Sequence, residues 1–387
     1  MTACIVGWGH TKFGKLDGQD AEALIVAACR EAIEDAGIAP TDIDQIFVGH
    51  YGGMDPQDFL AAMPLQTDPR MRFTPCTRVE NACASGSAAI HEGLNAIDAR
   101  RARFVLAVGI EKMTAVDSSE VGRVLGRGAY QKDPNAQGMT FPGLFGRLTE
   151  QYFQAHGDQS DALAMIAAKN HANGAKNRFA HIQKDLGYEF CRTVSDRNPL
   201  VAGPLKRSDC SLISDGCAAV VLADVETALT MKKAVAFRAA QHVQDFLPLA
   251  NRDVLAFEGP ALAFQKAFAQ AKVALGDLDF VEVHDCFTTA ELLSYEAMGL
   301  APRGQGALAI QEGWTRPDGK LPVNPSGGLK SKGHPIGATG VSMHVMAAMQ
   351  VTGQAGPMQV KDAGLGAVFN MGGVAVANFV SVLERLR

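Results

Sequence analysis

Several reactive side chains in this sequence sit where small residues break the backbone pattern. Cys83 lies in Arg78-Val-Glu-Asn-Ala-Cys83-Ala-Ser-Gly86-Ser, at the predicted start of a helix rich in small residues. There it faces unpaired N–H groups and the positive end of the helix dipole, which stabilise thiolate. Such positions bring a cysteine pKa from about 8.5 to roughly 3.5–7.5. The plainer reading is a small buried hydrophobe. His334 lies in Asn324-Pro-Ser-Gly-Gly-Leu-Lys-Ser-Lys-Gly-His334-Pro-Ile-Gly-Ala-Thr-Gly340, with five glycines and two prolines in seventeen residues. That is too many breakers for an element interior. The loop can bring backbone close to a substrate and hold an imidazole at one angle, or it can be a turn with an exposed histidine.

His284-Asp-Cys286-Phe follows the strand-like run Phe280-Val-Glu-Val283, and strand carboxyl ends are where α/β proteins place ligands. The alternative is a helix-capping Asp285 beside a buried Cys286. The glycines of Gly364-Leu-Gly366 and Asn370-Met-Gly372-Gly373 can turn N–H groups toward a developing oxyanion, or form a plain β-turn. Neither glycine cluster has the strand–GxGxxG–helix context of dinucleotide binding. Between Ala164 and Arg207, Lys169, Lys176, Arg178, Lys184, Arg192, Arg197, Lys206 and Arg207 outnumber three acids. That excess can hold phosphates or simply be a solvated face.

The elements that must position these residues alternate. Strand-like runs at Cys4-Ile-Val6, broken by the glycines at 7, 9 and 14, at Ile46–Gly49 and at Phe104–Val108 flank helical patterns at Ala21–Ala36, capped by Asp20 and ended by Gly37, and at Ala84–Ala99. From about 116 to 207 the pattern loosens into Gly, Pro and polar clusters, including Lys132-Asp-Pro-Asn135, around a helical stretch at 161–178. The apolar strand Ala218–Leu222 follows. Strand and helix signals then begin again: a strand near 234–240, a helix near 260–275 capped by Gly276, the strand 280–283 and a helix from Thr289 to Met298. The glycine-rich loop 327–340 leads into a helix to about Met349, and strands at Gly366–Phe369 and Val374–Val380 close the chain. Cys83-Ala-Ser-Gly86 and His334-Pro-Ile-Gly337 each set a reactive side chain three residues before a glycine at a helix start. A duplicated α/β unit that pairs a nucleophile with a base explains both. The domains expected are 1–115 with 208–230, an inserted 116–207, and 231–387.

The formal charge of −5 over 387 residues does not suggest nucleic-acid binding or a membrane-surface protein. No apolar run reaches spanning length, and Met1-Thr-Ala-Cys-Ile lacks a signal peptide's basic and apolar regions. The eight cysteines have no C-x-x-C spacing, which favours reduced thiols in the cytoplasm over disulfides or zinc ligation, so no metal is expected.

Taken together, Asn81-Ala-Cys83-Ala-Ser-Gly-Ser, His284-Asp-Cys-Phe, Asn324-Pro-Ser-Gly-Gly-Leu and Gly333-His-Pro-Ile-Gly-Ala-Thr-Gly resemble the thiolases over nearly the whole chain. Gly7-Trp-Gly-His-Thr-Lys-Phe-Gly14 resembles the sterol-carrier-protein-type subgroup. The resemblance implies a duplicated five-layer α-β-α-β-α fold with an inserted loop domain, and a homodimer or homotetramer. It implies ping-pong acyl transfer with coenzyme A and acyl-CoA as substrates and no covalently bound cofactor. His334 would deprotonate Cys83, which takes the acyl group. The N–H groups of Cys83 and Gly372 would hold the first oxyanion, and His284 with His334 the enolate oxygen of a second acyl-CoA. Cys286 would move that molecule's α-proton. Many thiolases carry N-E-A-F where this chain has His284–Phe287, and C-x-G-G-G in the last loop; here Asn370 stands at that cysteine and Val374 at the last glycine. The alternatives are a thiolase-like aldolase or acyltransferase on steroid or other substrates, and a non-catalytic scaffold assembled with a small zinc- and OB-fold-containing partner. A cysteine hydrolase is disfavoured, since no readable motif supplies an acid to orient His334. With the chain ending at Arg387, no sterol-carrier domain is expected to follow.

Overall fold

Apolar runs with residues for both faces become strands of a nine-stranded mixed sheet. They are β1 (Ala3–His10), β2 (Gln45–Gly49), β3 (Cys76–Val79), β4 (Phe104–Lys112), β5 (Asp215–Asp224), β6 (Val235–Gln244), β7 (Phe280–Val283), β8 (Leu365–Gly372) and β9 (Ala377–Arg385). The order across the sheet is β3-β2-β4-β5-β1-β6-β9-β8-β7. This computed structural model describes residues 3–133 and 138–387. Met1, Thr2, and Pro134 and Asn135 of the expected loop cluster lie outside them.

The sheet is two half-sheets joined by a narrow seam, in which β1 meets β6 through the pairs Cys4–Ala236 and Ile5–Val235. The order on one side, β3-β2-β4-β5-β1, is repeated on the other as Val323-β7-β8-β9-β6, with Val323 in an isolated parallel bridge to Val281. Even the backbone bonds correspond: Ile46 N–H donates to Pro75 O and Val281 N–H to Pro322 O, both at 2.9 Å. The duplication expected from the two helix starts is thus present strand by strand.

The helices that matter for the site are α1 (Ala21–Ala36), α2 (Ser85–Asp98), α3 (Ser118–Gly126), α4 (Phe141–His156), α5 (Ser160–Gly174), α6 (Glu258–Ala271), α7 (Thr288–Ala297), α8 (Gly328–Lys332) and α9 (Ile336–Val351). Period-two alternation assigns the faces. Phe104, Leu106 and Val108 of β4 join the core under α1, whereas Val105 and Ala107 join the core shared with α2. α2 and α9 pack on each other and on both half-sheets, and α6 covers β6 and β9. The layers therefore run α1, sheet, α2 with α9, sheet, α6, the α-β-α-β-α arrangement. Between the neighbours β4 and β5, residues 113–214 carry α3, α4 and α5, and α5 reaches across to α7 and α8. Among the described residues no helix is long and apolar enough to cross a membrane.

Several boundaries differ from expectation. Gly7 and Gly9 do not break β1: a Cβ there would lie 2.6 Å and 2.1 Å from the carbonyl oxygens of Ala32 and Ala28, so they let α1 pack close. Gly276 is not the cap of α6. The helix ends at Lys272 in the left-handed region (φ 56°), closed by the Val273 N–H on Phe268 O. The last strand begins at Ala377 rather than Val374, because the Val376 N–H closes a turn onto Gly372 O.

Glu111 ends the apolar strand β4 with a fully buried carboxylate. It accepts from the N–H groups of Tyr51 (3.0 Å), Gly52 (3.0 Å) and Gly337 (3.1 Å), and His50 Nε2 lies 3.2 Å away. One carboxylate thus ties the loop after β2 to the start of α9. Glu111→Ala leaves three N–H groups without an acceptor, each costing about 1–3 kcal/mol. Denaturant unfolding should show a loss of at least about 3 kcal/mol, with Glu111→Gln in between.

Burial also holds many histidines neutral. It pushes His10, His91, His171 and His334 down to about 3, His344 to about 4, and His284 well below the usual range. Such a ring binds its proton only when unfolded, so its contribution is complete above pH 6.5 and is lost as pH falls toward the folded value. Asp285, raised to about 7 by burial and the charge of Glu291, and Glu282, raised by burial, act in the opposite sense. Each histidine is worth about 1.4 kcal/mol per pH unit in that window, and the histidines outnumber the two acids. The urea midpoint should fall steeply from pH 7 to pH 5; equal midpoints would contradict neutral burial of these rings.

Candidate active site

The chain turns sharply before Cys83. Ala82 sits in the left-handed region (φ 49°), a conformation costing about 1–3 kcal/mol for a residue with a side chain. The turn is pinned by Ser85, whose Oγ donates to Ala82 O at 2.6 Å and accepts from Asn81 N at 2.9 Å. Cys83 follows, two residues ahead of α2, with 7% of its surface exposed.

His334 is delivered between α8 and α9, after Gly333, whose φ of 109° needs glycine. His284 and Cys286 leave the carboxyl end of β7 ahead of α7. Asp285 between them does cap a helix, but not the one it precedes. It accepts from Leu329 N (2.6 Å) and Lys330 N (3.2 Å) of α8 and from Asn170 Nδ2 (2.8 Å), so it binds the His284 turn to the loop that carries His334. Behind it, Lys169 pairs with Glu291 at 2.7 Å and donates to Val323 O at 2.6 Å.

These loops bring Cys83 Sγ and one ring nitrogen from each of His284 and His334 mutually within 4.8 Å. The two imidazoles meet edge to face, with centroids 5.0 Å apart. Cys83, Cys286 and His334 open onto one cavity of about 340 Å³, and His284 lies buried beside it. Tyr51, Met113, Val121, Leu125 and Ile336 form one apolar wall. Phe141 and Phe287 form another, backed by Phe145 stacked on Phe287 at 4.4 Å.

Gly373, not Gly372, lines the cavity, and its N–H faces the Cys83 sulfur; Gly372 is one residue back, inside β8. Burial raises the Cys83 thiol to about 12 even though the N–H groups of Gly373 and Cys83 pull the other way. Desolvation therefore outweighs the helix start, and the free site holds a neutral thiol beside a neutral imidazole, not the thiolate expected from position alone. Cys286 is raised well above its ordinary value, first by burial and then by Cys83.

Cys83, His284 and His334 are also the side chains here that suit a soft metal. One tetrahedral zinc would draw its ligands to about 3.5 Å apart, so this trio, spread over as much as 4.8 Å, would have to contract.

None of the eight basic residues between 164 and 207 lines the cavity. Lys169 and Lys206 are buried in ion pairs, Lys206 with Asp209 at 2.8 Å. Lys176, Arg178, Lys184, Arg197 and Arg207 are exposed.

Sequence reasoning missed Thr339, Glu111 and the role of Asn370. Thr339 Oγ1 lies 2.7 Å from His334 Nδ1, and Asn370 Nδ2 lies 2.8 Å from His284 Nδ1. Glu111 had a signal, since with Lys112 it closes a strand that is apolar from Phe104 to Ile110.

Comparison with known proteins agrees with this architecture. The thiolase N-terminal domain family matches residues 3–186, and the thiolase C-terminal domain-like family matches residues 241–385. An acetyl-CoA acetyltransferase of Methanothermobacter thermautotrophicus is 35% identical over 385 residues, covering 98% of this chain and 99% of the relative. Human sterol carrier protein 2 is 31% identical over 391 residues, covering 95% of this chain and 69% of that protein. Among solved structures, an Ltp2–ChsH2(DUF35) aldolase superposes with a TM-score of 0.82 at 20% identity, over 100% of this chain and 98% of that one. The chain belongs to the thiolase family and is an acyltransferase enzyme.

Proposed function

We propose that this protein is an acyl-CoA:acetyl-CoA C-acyltransferase working through an acyl-Cys83 intermediate. The observation that carries the reading is the convergence of the Cys83 thiol with two imidazole nitrogens beside a cavity that also holds Cys286. As Cys83 sulfur attacks an acyl-CoA thioester, His334 takes its proton, so charge appears only as the new bond forms. The N–H groups of Cys83 and Gly373 are the donors for that tetrahedral oxyanion, a revision of the Gly372 assignment. The leaving CoA thiolate takes its proton from Cys286, which becomes the base for the next step, and His334 returns its proton to Cys83 when the new C–C bond forms. A second acyl-CoA then enters; Cys286 serves its α-carbon proton, and His284 and His334 adjoin its thioester oxygen. Run backwards, the same groups cleave a 3-oxoacyl-CoA with CoA.

The apolar walls support acyl groups longer than acetyl. The free state of all eight cysteines supports a reducing, cytoplasmic setting. β3 leaves one edge of the sheet unpaired, with Phe73 exposed beside it, which supports a homodimer or homotetramer. A second reading, an aldolase working with a DUF35-type partner, draws on the fold neighbour of that name. That chemistry needs no acyl-cysteine, so the two readings separate cleanly.

Intact mass after brief incubation with acetyl-, hexanoyl- or acetoacetyl-CoA should show a single acyl adduct, absent in Cys83→Ala, which also loses at least about 10³-fold of acyl transfer. An absent adduct with every donor would overturn the C-acyltransferase reading in favour of the aldolase. Cys286→Ala should acylate within about threefold of the wild-type rate yet lose at least about 10²-fold of C–C bond formation and cleavage; equal loss of both steps would remove the role given to Cys286.

A further inference from the structure

The two active-site histidines are held by different partners, and the partners decide which nitrogen carries the proton. Thr339 Oγ1 donates to Pro335 O at 2.9 Å, the bond a helical threonine makes one turn back. Its lone pair therefore faces His334 Nδ1, 2.7 Å away, and accepts the Nδ1–H. Nε2 of His334 is left with a lone pair.

At His284 the logic is reversed. Asn370 is fully buried between three groups. Its Oδ1 accepts from Ser87 Oγ at 2.8 Å, and its Nδ2 lies 3.3 Å from Cys83 O and 2.8 Å from His284 Nδ1. A carbonyl only accepts, so the NH₂ must face Cys83 O, and the amide cannot be flipped without opposing two oxygens. Asn370 therefore donates to His284 Nδ1, and a neutral His284 carries its proton on Nε2. Both rings are buried and held neutral mainly by desolvation.

We infer that Thr339 and Asn370 are positioning residues that lock His334 and His284 of the free site in opposite tautomers, so that His334 is the base for Cys83 and His284 holds an N–H ready for the enolate oxygen of the second acyl-CoA. This rests on the C-acyltransferase reading and gives the two rings different starting protons for a task that the resemblance assigned to both. The proton count closes. His334 Nε2 accepts the Sγ proton as the S–C bond forms, while Nδ1–H stays on Thr339. As the C–S bond breaks, the CoA sulfur takes the Cys286 proton, and the Cys286 thiolate so formed takes the α-proton of the second acyl-CoA. His334 keeps its Nε2 proton until the new C–C bond forms and the departing Cys83 sulfur takes it back. His284 owes its Nε2–H to the amide facing its Nδ1, and the asparagine in the place of a second cysteine holds it there.

The test is ring ¹⁵N NMR on histidine-labelled, full-length protein, assigned with His284→Gln and His334→Gln. The expected result is a pyrrole-type Nδ1 with a pyridine-type Nε2 for His334, and the reverse for His284. The same tautomer in both rings would overturn the inference. Kinetically, Thr339→Val should slow Cys83 acylation at least about tenfold and Thr339→Ser should restore it to within about threefold, since general-base assistance is worth about 10²–10⁴-fold. Asn370→Leu should leave acylation within about threefold and lose at least about tenfold in the C–C step; equal loss of both half-reactions would count against the division. If no donor acylates the wild type, the C-acyltransferase reading fails, while the ring tautomers remain readable and decide the positioning roles on their own.

Discussion

At the centre of the molecule α2 and α9 approach so closely that a Cβ on Gly86 would lie 2.7 Å from Gly337 O, and one on Gly340 would lie 2.2 Å from Ser87 N. Contacts that short are closed to any side chain, and forcing one would cost at least about 1–3 kcal/mol. This approach of two helix starts sets the site. It carries Cys83 from one half and His334 from the other to within 4.8 Å, although they are 251 positions apart in the chain. Neither half holds both groups. The same contact leaves room for Asn370, whose Oδ1 would lie only 2.6 Å from a Cβ on Gly340. These glycines are therefore the condition for bringing Cys83, His334 and Asn370 together.

Close packing of two sheets around these helices excludes water, and desolvation then governs the electrostatics. The thiol is raised to about 12 and His334 lowered to about 3, so an ion pair in the empty site is strongly disfavoured. Reactivity must be created by the substrate, whose developing oxyanion offers a charge for fixed N–H groups to stabilise. Buried polar and acidic groups are kept one layer back, where partners satisfy them. Lys169, Glu291 and Asn170 link α5 to α7, and Asp285 links β7 to α8. That layer fixes loop positions without putting a full charge against the sulfur.

Cys83, His334 and the duplicated α/β order were legible in the sequence because each rests on a local signal: a small-residue helix start, a dense run of breakers, a repeated strand–helix rhythm. What was not legible depends on pairing across the sheet. Gly373 rather than Gly372 lines the cavity because Gly372 is still paired with Ala377 in β8. Val374 reads as strand by composition, but a hairpin between β8 and β9 needs those residues for its turn. Asn370 could be seen only as a missing cysteine. Its contacts need Ser87 from the first turn of α2 and His284 from the end of β7. The thiolate expected at Cys83 was a sound local argument overridden by burial, a quantity that a helix start does not carry.

The two halves share a strand order, yet the site is asymmetric, and a difference in one strand accounts for it. In the first half β3 pairs with β2 over Cys76–Val79, and only Glu80 to Ala82 intervene before Cys83. In the second half the equivalent strand is reduced to the pairing of Val323 with Val281. The shortened strand releases the chain from Asn324 onward, enough length to fold α8 and present His334 after it. Cys83 thus sits on a short, strained turn that fixes its direction. His334 sits on a longer loop held by Asp285, with Thr339 against its ring nitrogen. A thiol needs one direction of attack, whereas an imidazole needs a chosen nitrogen as well. The longer loop supplies the extra partners through which that choice is made.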